Sequence, residues 1–288
     1  MKIGVVFPQT EIGEDPEHVA RFATTAEALG FHHLLAYDHV LGANTASRPD
    51  WQGPYTMDSL FHEPLVLFGF LAGQTERIEL ASGVLILPQR QTALVAKQAA
   101  AVDVLSGGRL RLGIGTGWNP VEYEALGENF RNRGVRSEEQ IEVMRRLWAE
   151  PTVDFEGRWH RIPDAGIKPL PPRRRIPVWL GGGAPAVIER VGRIADGWLP
   201  FDLPSLPKDI ARVHEVAREH GRDPAEIGIE CILPPAASAE AARDKLESLA
   251  AIGVTHVSVS MMNIGLGGPE AHIDSLADYW NAVQSLAD

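Results

Sequence analysis

Residues 178–185 read Val178-Trp-Leu-Gly-Gly-Gly-Ala-Pro185, a short apolar run that ends in three glycines and a proline. The apolar run predicts a buried strand, and the proline is typical of the first position of a helix. A second short run, Gly197 to Leu199, follows the predicted helix. This segment therefore predicts a strand, a helix and the next strand, which is the repeating unit of a parallel α/β sheet.

The same alternation of strand and helix signals extends along the whole chain. Eight strand candidates, each followed by a helix candidate, are Ile3 to Phe7, His33 to Tyr37, Ile78 to Leu85, Leu110 to Ile114, Val178 to Leu180, Gly197 to Leu199, Ile227 to Ile232 and His256 to Ser260. Eight such units in a chain of 288 residues favour a closed barrel over an open sheet. We therefore predict an α/β fold, a (β/α)8 TIM barrel, with residues 1–288 forming one domain.

Several helix boundaries carry their own signals. Asp15-Pro16 predicts a helix start, with a capping side chain followed by a proline, and Gly30 predicts the end of that helix. Ser137 with Gln140 three residues later has the spacing of a capping box. We therefore expect a second helix to begin at Ser137.

Two segments exceed what a minimal barrel needs. Gly42 to His62 follows strand 2, so we expect it to lie over the catalytic mouth as a lid or wall. Pro151 to Pro177 precedes strand 5 and is expected to enter from the opposite face. The three arginines at 173–175 lie at that wrong end of the strand for a catalytic anion site, which favours an exposed charge run.

Composition restricts the kinds of partner. The chain has 27 Lys+Arg against 38 Asp+Glu, a formal net charge of −11, which argues against a broad nucleic-acid or anionic-membrane surface. Its single cysteine, Cys231, excludes an intramolecular disulfide framework and fits a reducing cytosol. No apolar run reaches the length of a membrane span. We expect a cytoplasmic protein whose anionic ligands meet a local positive site.

The carboxyl end of strand 2 carries the first candidate for chemistry. Tyr37-Asp38-His39 places an imidazole beside a carboxylate, a pair that can relay a proton. Alternatively, Asp38 caps a turn and His39 packs under the lid. A metal site that also uses His62 and Glu63 lacks any recognised ligand spacing, so we predict no metal.

Strands 3 and 4 are rich in glycine. Gly83, inside an otherwise β-branched run, indicates a bulge or a close approach of the backbone to a ligand, and the alternative is a tight packing point in the barrel. The glycines at 113, 115 and 117 do not fit the dinucleotide-binding pattern, because Trp118 breaks it. They indicate a stripped backbone beside a large planar ligand, with Thr116 and Asn119 able to hydrogen-bond it.

The three glycines after strand 5 give the stronger local argument. Amide groups exposed at a helix N-terminus bind phosphate without a basic side chain, which reconciles an acidic protein with an anionic cofactor. The alternative is a simple flexible turn. A phosphate site after strand 5 is unusual among barrels, where such sites generally follow strands 7 and 8.

Together these motifs identify a family resemblance. The chain resembles the bacterial luciferase-like flavin and deazaflavin oxidoreductases, particularly the branch that uses coenzyme F420. The stretches that carry the resemblance are Ala28 to Phe31, Asp38-His39, Gly83 to Pro88, Ala96 to Arg109, Gly115 to Asn119, Glu122 to Gly127 and Ala195 to Trp198.

The resemblance implies a location for the cofactor. Its ring is expected in the barrel mouth, against a non-prolyl cis peptide at Gly83-Val84, with its phosphate after strand 5. The expected cofactor-binding residues are Asp38, Ser82, Gly83, Val84, Thr116, Gly117, Asn119, Gly181, Gly182, Gly183 and Ala184.

The resemblance also implies an activity. We expect hydride transfer between coenzyme F420 and a small organic substrate, with His39 as the catalytic residue that manages one proton. The alternatives are an FMN-dependent monooxygenase fed by a separate reductase, and a barrel that binds a flavin or deazaflavin without catalysis. A homodimer is expected from the resemblance alone.

One residue departs from a branch of this family. Sugar-phosphate dehydrogenases that resemble this chain carry a glutamate acid where Trp118 stands. An aromatic wall at that position favours a less polar substrate, and Trp51, Tyr55 and Phe61 in the lid segment are expected to extend it.

Overall fold

The computed structural model describes residues 1–287, in which parallel strands close into a barrel. The strands are β1 (Lys2–Val6), β2 (His33–Ala36), β3 (Glu79–Ser82), β4 (Leu85–Ile86), β5 (Leu110–Gly115), β6 (Val153–Glu156), β7 (Arg161–Ala165), β8 (Val178–Gly181), β9 (Gly197–Leu199), β10 (Gly228–Leu233) and β11 (His256–Val259). The pairing order is β3-β2-β1-β11-β10-β9-β8-β5, and β3 closes the ring by pairing with β5. The predicted (β/α)8 barrel is confirmed.

Helices surround the barrel on its outer side. They are α1 (Pro16–Leu29), α2 (Pro64–Ala72), α3 (Thr92–Leu105), α4 (Pro120–Ala125), α5 (Arg133–Ala149), α6 (Pro185–Ile194), α7 (Leu206–Glu219), α8 (Ala239–Ala251) and α9 (Pro269–Val283). Within residues 1–287, none of these helices has the length and apolar character required to traverse a bilayer.

The predicted boundaries of the first helix are confirmed. The Asp15 side chain accepts a hydrogen bond from the Glu17 amide at 2.9 Å, and Gly30 ends the helix with a φ of 110°. The predicted capping box at Ser137 is wrong. Helix α5 already begins at Arg133, and the Ser137 hydroxyl donates to the Gly134 carbonyl inside the helix. Helix α5 begins one turn before this predicted start signal, because packing of its buried side outweighs the local preference of Ser137 for a cap position.

The third strand of the barrel is broken where the sequence predicts a bulge. Strands β3 and β4 are separated by Gly83 and Val84, which are joined by a cis peptide bond, as the resemblance implies. The Ser82 hydroxyl donates to the Gly113 carbonyl at 2.8 Å. This bond ties the broken strand to its neighbour β5 just below the mouth.

The lower half of the barrel interior holds a buried group of charges. Arg111 forms ion pairs with Glu230 and, at 2.5 Å, with Glu79. The second oxygen of Glu230 accepts from His33 at 2.7 Å and from Ser258 at 2.6 Å. Burial disfavours the Glu230 carboxylate, but the adjacent guanidinium and these hydrogen bonds lower its pKa well below its usual range. Loss of one partner would leave a buried charge uncompensated, so the stability of the fold depends on all of these side chains.

The two extra segments take different courses. Residues 42–62 cover the mouth, where the Tyr55 ring lies 4.9 Å from that of His39, so the predicted lid is confirmed. Strands β6 and β7 form an antiparallel hairpin within the second segment. At its tip, His160 lies 2.7 Å from Glu139 of α5 and 2.7 Å from the hydroxyl of Thr92 at the start of α3. The hairpin therefore begins on the opposite face, as expected, but reaches the mouth side.

The arginines at 173–175 are exposed, as the sequence predicts. Arg175 pairs with Asp196, whose carboxylate also accepts from the Val178 amide at 2.8 Å. This run therefore contributes to the start of strand β8 rather than to the mouth.

Candidate active site

A cavity of about 580 Å³ opens at the carboxyl ends of the barrel strands. Its floor and walls come from the carboxyl-terminal parts of the barrel strands and the residues that follow them, and the lid contributes Tyr55. The volume lies in the range of cofactor and small-molecule sites. This is where catalytic sites of such barrels occur.

Val84 is held at the floor of this cavity by two glycines. A Cβ added at Gly115 would lie 2.2 Å from Val84 Cγ2, and one added at Gly181 would lie 2.6 Å from Val84 Cγ1. Both γ-methyl groups therefore occupy space that a side chain on either neighbouring strand would fill. The isopropyl group of Val84 therefore forms part of the cavity floor and packs between the backbone of Gly115 and that of Gly181.

The glycines at 113, 115 and 117 have a steric role that their spacing in the sequence does not show. A Cβ at Gly113 would lie 1.9 Å from the Ser82 carbonyl oxygen, and one at Gly117 would lie 2.8 Å from Ile86. Together with Gly115, these glycines make room for the broken strand at 82–86. Protein atoms fill the space on the β-carbon side of these glycines, while the backbone of Gly115 and Gly117 borders the cavity, so their contact with a planar ligand stays a prediction.

Asp38 lines the cavity but is almost fully buried in its wall. Its carboxylate accepts from the Ile86 amide at 2.8 Å and from Arg90 at 2.7 Å, and Arg90 also pairs with Glu63 at 2.7 Å. Burial raises the pKa of Asp38, an effect that the Arg90 charge and the Ile86 amide oppose. The predicted cofactor-binding carboxylate therefore fixes the end of β2 against the broken strand, with both oxygens already used.

The other predicted cofactor-binding residues of strands 3 and 4 divide into two groups. Gly83, Val84, Thr116 and Gly117 line the main cavity. Ser82 and Asn119 do not: Ser82 is buried, and Asn119 caps α4 by accepting from the Val121 amide at 3.0 Å. Asn119 instead borders a separate space of about 150 Å³ beneath the lid.

His39 lies at the boundary between these two spaces. Its ring is surrounded by aromatic rings, with centroids of Tyr55 and Phe61 at 4.9 Å and of Trp118 at 5.6 Å. Trp118 in turn lies 5.7 Å from Trp51. The predicted aromatic wall is present, and it leaves the imidazole at the cavity surface with 11% of its side chain exposed.

Glu122 is a site residue that our reading of the sequence missed. It lines the cavity, is 1% exposed, and its Oε1 lies 3.2 Å from His39 Nδ1. Burial opposes its ionisation, but the hydrogen bonds from His39 and Gln89 and the His39 charge lower its pKa overall. In the sequence, Glu122 follows Asn119 by three residues. That spacing indicates a helix cap and does not by itself indicate a catalytic site.

Tyr37 is a second missed residue, at the cavity floor. Burial raises its pKa to about 12, against the opposing effect of a hydrogen bond with Ser260. The phenol therefore stays protonated at neutral pH and offers the cavity a polar but uncharged group. Its position directly after β2 is the sequence feature that could have identified it as a site residue.

The glycine turn after β8 has the features of an anion site. Helix α6 begins after Ala184 without a capping side chain, and Gly183 and Ala184 are exposed. Gly181 and Gly182 line the cavity, and Gly182 has a φ of 114°, which requires glycine. Uncapped amide groups at the start of a ten-residue helix therefore face solvent beside the cavity.

The charges around the cavity are acidic. Among the residues described, the lining includes Asp38, Glu122 and Asp202 but no lysine or arginine. An anionic group in this cavity would therefore depend on backbone amides for its partners. Across residues 1–287, no cluster of three or more His, Cys, Asp or Glu side chains has the arrangement of a metal site.

Comparison with known proteins identifies the family. The family model described as luciferase-like monooxygenase matches residues 1–283. An uncharacterised protein of Mycobacterium tuberculosis is 36% identical over 215 residues, 72% of this chain and 74% of its own. An F420-dependent glucose-6-phosphate dehydrogenase of Segniliparus rotundus is 31% identical over 194 residues, 64% of this chain and 53% of its own.

A solved structure shares the fold. The structure described as an F420-dependent secondary alcohol dehydrogenase in complex with an F420-acetone adduct has a TM-score of 0.80 over 98% of both chains, at 19% sequence identity. The shared fold and the family match over residues 1–283 agree. The chain belongs to the luciferase-like monooxygenase family.

Proposed function

We propose that this protein is an oxidoreductase that transfers a hydride between coenzyme F420, an 8-hydroxy-5-deazaflavin, and a small organic substrate. The observation that carries the proposal is one rim that holds both an uncapped glycine turn and a cavity bordered by His39. The similarity to curated F420-dependent dehydrogenases supports the choice of cofactor.

The residues present fit such a cofactor. The amides of Gly183 and Ala184 offer hydrogen-bond donors to a phosphate, and the acidic lining elsewhere favours placing the negative charge at this turn. Val84, fixed between Gly115 and Gly181, offers an apolar surface for one face of a ring. The cavity volume of about 580 Å³ leaves room for a ring and a small substrate.

The protein's own groups then handle the proton. When bound, the deazaflavin supplies a carbon centre that accepts or donates a hydride. His39 stands at the cavity surface with Nδ1 directed at Glu122, so its Nε2 is the atom that exchanges a proton with a substrate oxygen. The aromatic rings around it exclude water from that exchange.

The cavity favours an uncharged substrate. Trp118 and Tyr55 line it, and Trp51 stands behind Trp118. A phosphorylated sugar would meet carboxylates and aromatic rings without a basic side chain. We therefore propose a small, weakly polar alcohol or carbonyl compound rather than a sugar phosphate.

A binding titration tests the cofactor. Purified protein is titrated with oxidised coenzyme F420, with FMN, and with the 8-hydroxy-5-deazaflavin nucleoside that lacks the phosphate tail, and fluorescence is measured. We expect micromolar or tighter binding of F420, and binding of the other two at least tenfold weaker. Tighter binding of FMN would refute the proposal, and equal binding of the tailless nucleoside would remove the role of the glycine turn.

A second candidate is an FMN-dependent monooxygenase supplied by a separate reductase. The family description as luciferase-like monooxygenase favours it. The same cavity and glycine turn would suit FMN, which has a tricyclic ring and a phosphate. Oxygen consumption distinguishes the two: our first proposal predicts no protein-dependent oxidation of substrate by oxygen with reduced FMN.

We also propose a homodimer, supported by an uncovered apolar face on α2 and α3. Val66 and Phe70 on α2 and Leu94 and Leu105 on α3 are exposed, and the space beside Gly69 is open. Sedimentation at micromolar concentration tests this, with a dimer of 31.4 kDa chains expected.

A cytoplasmic location is proposed on the single, buried thiol of Cys231.

A further inference from the structure

Glu122 holds more hydrogen bonds than a helix-capping side chain needs. Its Oε1 accepts from the Val40 amide at 2.9 Å and the Leu41 amide at 3.4 Å, in addition to His39 Nδ1 at 3.2 Å. Its Oε2 accepts from Gln89 Nε2 at 3.2 Å. Each oxygen is therefore held in place by donors that do not depend on His39.

These contacts decide which nitrogen of His39 carries the hydrogen. An ionised carboxylate has only lone pairs to offer, so the ring must present an N–H to Glu122 at Nδ1. In the neutral ring the hydrogen is then absent from Nε2, which is left with a lone pair. The two backbone amides prevent Oε1 from turning away when the ring loses its proton.

We propose that Glu122 is a positioning residue that fixes His39 as the Nδ1–H tautomer and places a negative charge opposite the imidazolium formed during turnover. The inference rests on the proposed function, and it assigns to this chain a His–Glu pair as the acid–base unit of the site. Glu122 acts only through His39, because its two oxygens are occupied by His39, Gln89 and the backbone.

The negative charge of Glu122 matters at the step in which His39 takes up a proton. In the direction of alcohol oxidation, the carbinol C–H bond would break and its hydride, with two electrons, would pass to a bound deazaflavin, the oxidant that the proposed function names. The O–H bond breaks, its proton goes to His39 Nε2, and the C=O bond forms. The imidazole becomes an imidazolium, which the carboxylate at Nδ1 stabilises in the transition state but not in the neutral ground state.

Replacing Glu122 by glutamine tests the negative charge separately from the hydrogen bonds. In Glu122→Gln, the Val40 and Leu41 amides still require an acceptor at the position of Oε1, so the amide oxygen is expected there. The new NH2 group then faces Gln89, whose own Oε1 is buried without a partner and can accept once that amide turns over. The variant keeps the hydrogen bonds and loses only the charge.

A matched control moves the charge instead of removing it. In Gln89→Glu with Glu122→Gln, the carboxylate stands on the far side of residue 122 and the total charge of the wild type is kept. If the charge acts through direct contact with His39, this double variant behaves like Glu122→Gln.

The first measurement is independent of activity. Selective labelling of histidine with ¹⁵N, with His39→Gln to assign the signal, reports the tautomer by NMR at a pH where the ring is neutral. We expect the Nδ1–H form in the wild type and a shift towards the Nε2–H form in Glu122→Met, which offers no acceptor. An Nε2–H form in the wild type, or an unchanged tautomer in folded Glu122→Met, overturns the proposal.

The second measurement is turnover with oxidised coenzyme F420 and a panel of uncharged secondary alcohols. We expect Glu122→Gln and the double variant to lose about 100-fold in kcat, within the range of a positioned acid–base group, at unchanged F420 affinity and KM. A kcat within twofold of wild type for Glu122→Gln overturns the proposal. Absence of F420 binding by the wild type instead refutes the proposed function and leaves the NMR result to decide the tautomer.

Discussion

Gly115 is the residue at which a single added methyl group should disturb the site most specifically. In Gly115→Ala, the new Cβ would lie 2.2 Å from Val84 Cγ2. Carbon atoms in contact are separated by about 3.5–4.0 Å, so the overlap is roughly 1.3–1.8 Å. A Cβ at Gly181 would lie only 2.6 Å from the other γ-methyl group of Val84, so the side chain is bounded by backbone on two sides and is open only towards the cavity. Backbone or side chain must therefore shift at the cavity floor.

The size of the effect follows from this overlap. Overpacking of this kind costs about 1–3 kcal/mol, and a β-branched side chain such as Val84 is stiff about χ1. We expect Gly115→Ala to lower the free energy of unfolding by about 2 kcal/mol. The displaced isopropyl group would also occupy space for the cofactor ring, so F420 affinity should fall at least tenfold.

A double-mutant cycle in urea tests the cause. Val84→Ala removes both γ-methyl groups, so Gly115→Ala/Val84→Ala should recover most of the lost stability, with a coupling energy of about 1–2 kcal/mol. Midpoints and slopes of urea unfolding curves give each free energy. If Gly115→Ala is as stable as the wild type, or if the two substitutions are additive, Val84 is not wedged as the structure indicates.

Three further predictions concern His39, the buried charges and pH. His39→Ala should leave F420 affinity intact and lower turnover about 10²- to 10⁴-fold, measured in parallel binding and rate assays; equal turnover would remove its role. Arg111→Met should cost about 3–5 kcal/mol in urea unfolding, because Glu230 is left buried without its cation, and Arg111→Met/Glu230→Leu should recover much of it. Burial, with repulsion from Arg111, lowers the pKa of His256 to about 2. The fold therefore favours the neutral ring, and stability present above pH ~6.5 should fall by up to about 1.4 kcal/mol per pH unit below it. His256→Gln should flatten that decline, and an unchanged slope would contradict the argument.

The architecture was predictable because it depends on local patterns. Short apolar runs and helix boundaries such as Asp15-Pro16 and Gly30 repeat along the chain, and each follows from backbone physics within a few residues. The break at Gly83 was likewise visible as a glycine in a strand. Ser137 misled the prediction because packing of α5 outweighed a weak cap signal.

The side-chain partners of the site were not predictable in the same way. Glu122 contacts His39 across 83 residues of sequence, a proximity that only the closed barrel creates. The glycines at 113, 115 and 117 also accommodate Val84 and its neighbours from another strand, a requirement that their spacing in the sequence does not show. Sequence therefore indicated which end of the barrel is functional, and the structure indicated which atoms meet there.

The most direct test of the central claim is a crystal structure of the protein grown with oxidised coenzyme F420. We predict the ring against Val84 in the barrel mouth, its phosphate within hydrogen-bonding distance of the Gly183 and Ala184 amides, and His39 Nε2 facing the open space beside the ring. Density for the cofactor outside this cavity, or a phosphate held away from the glycine turn, would contradict the account.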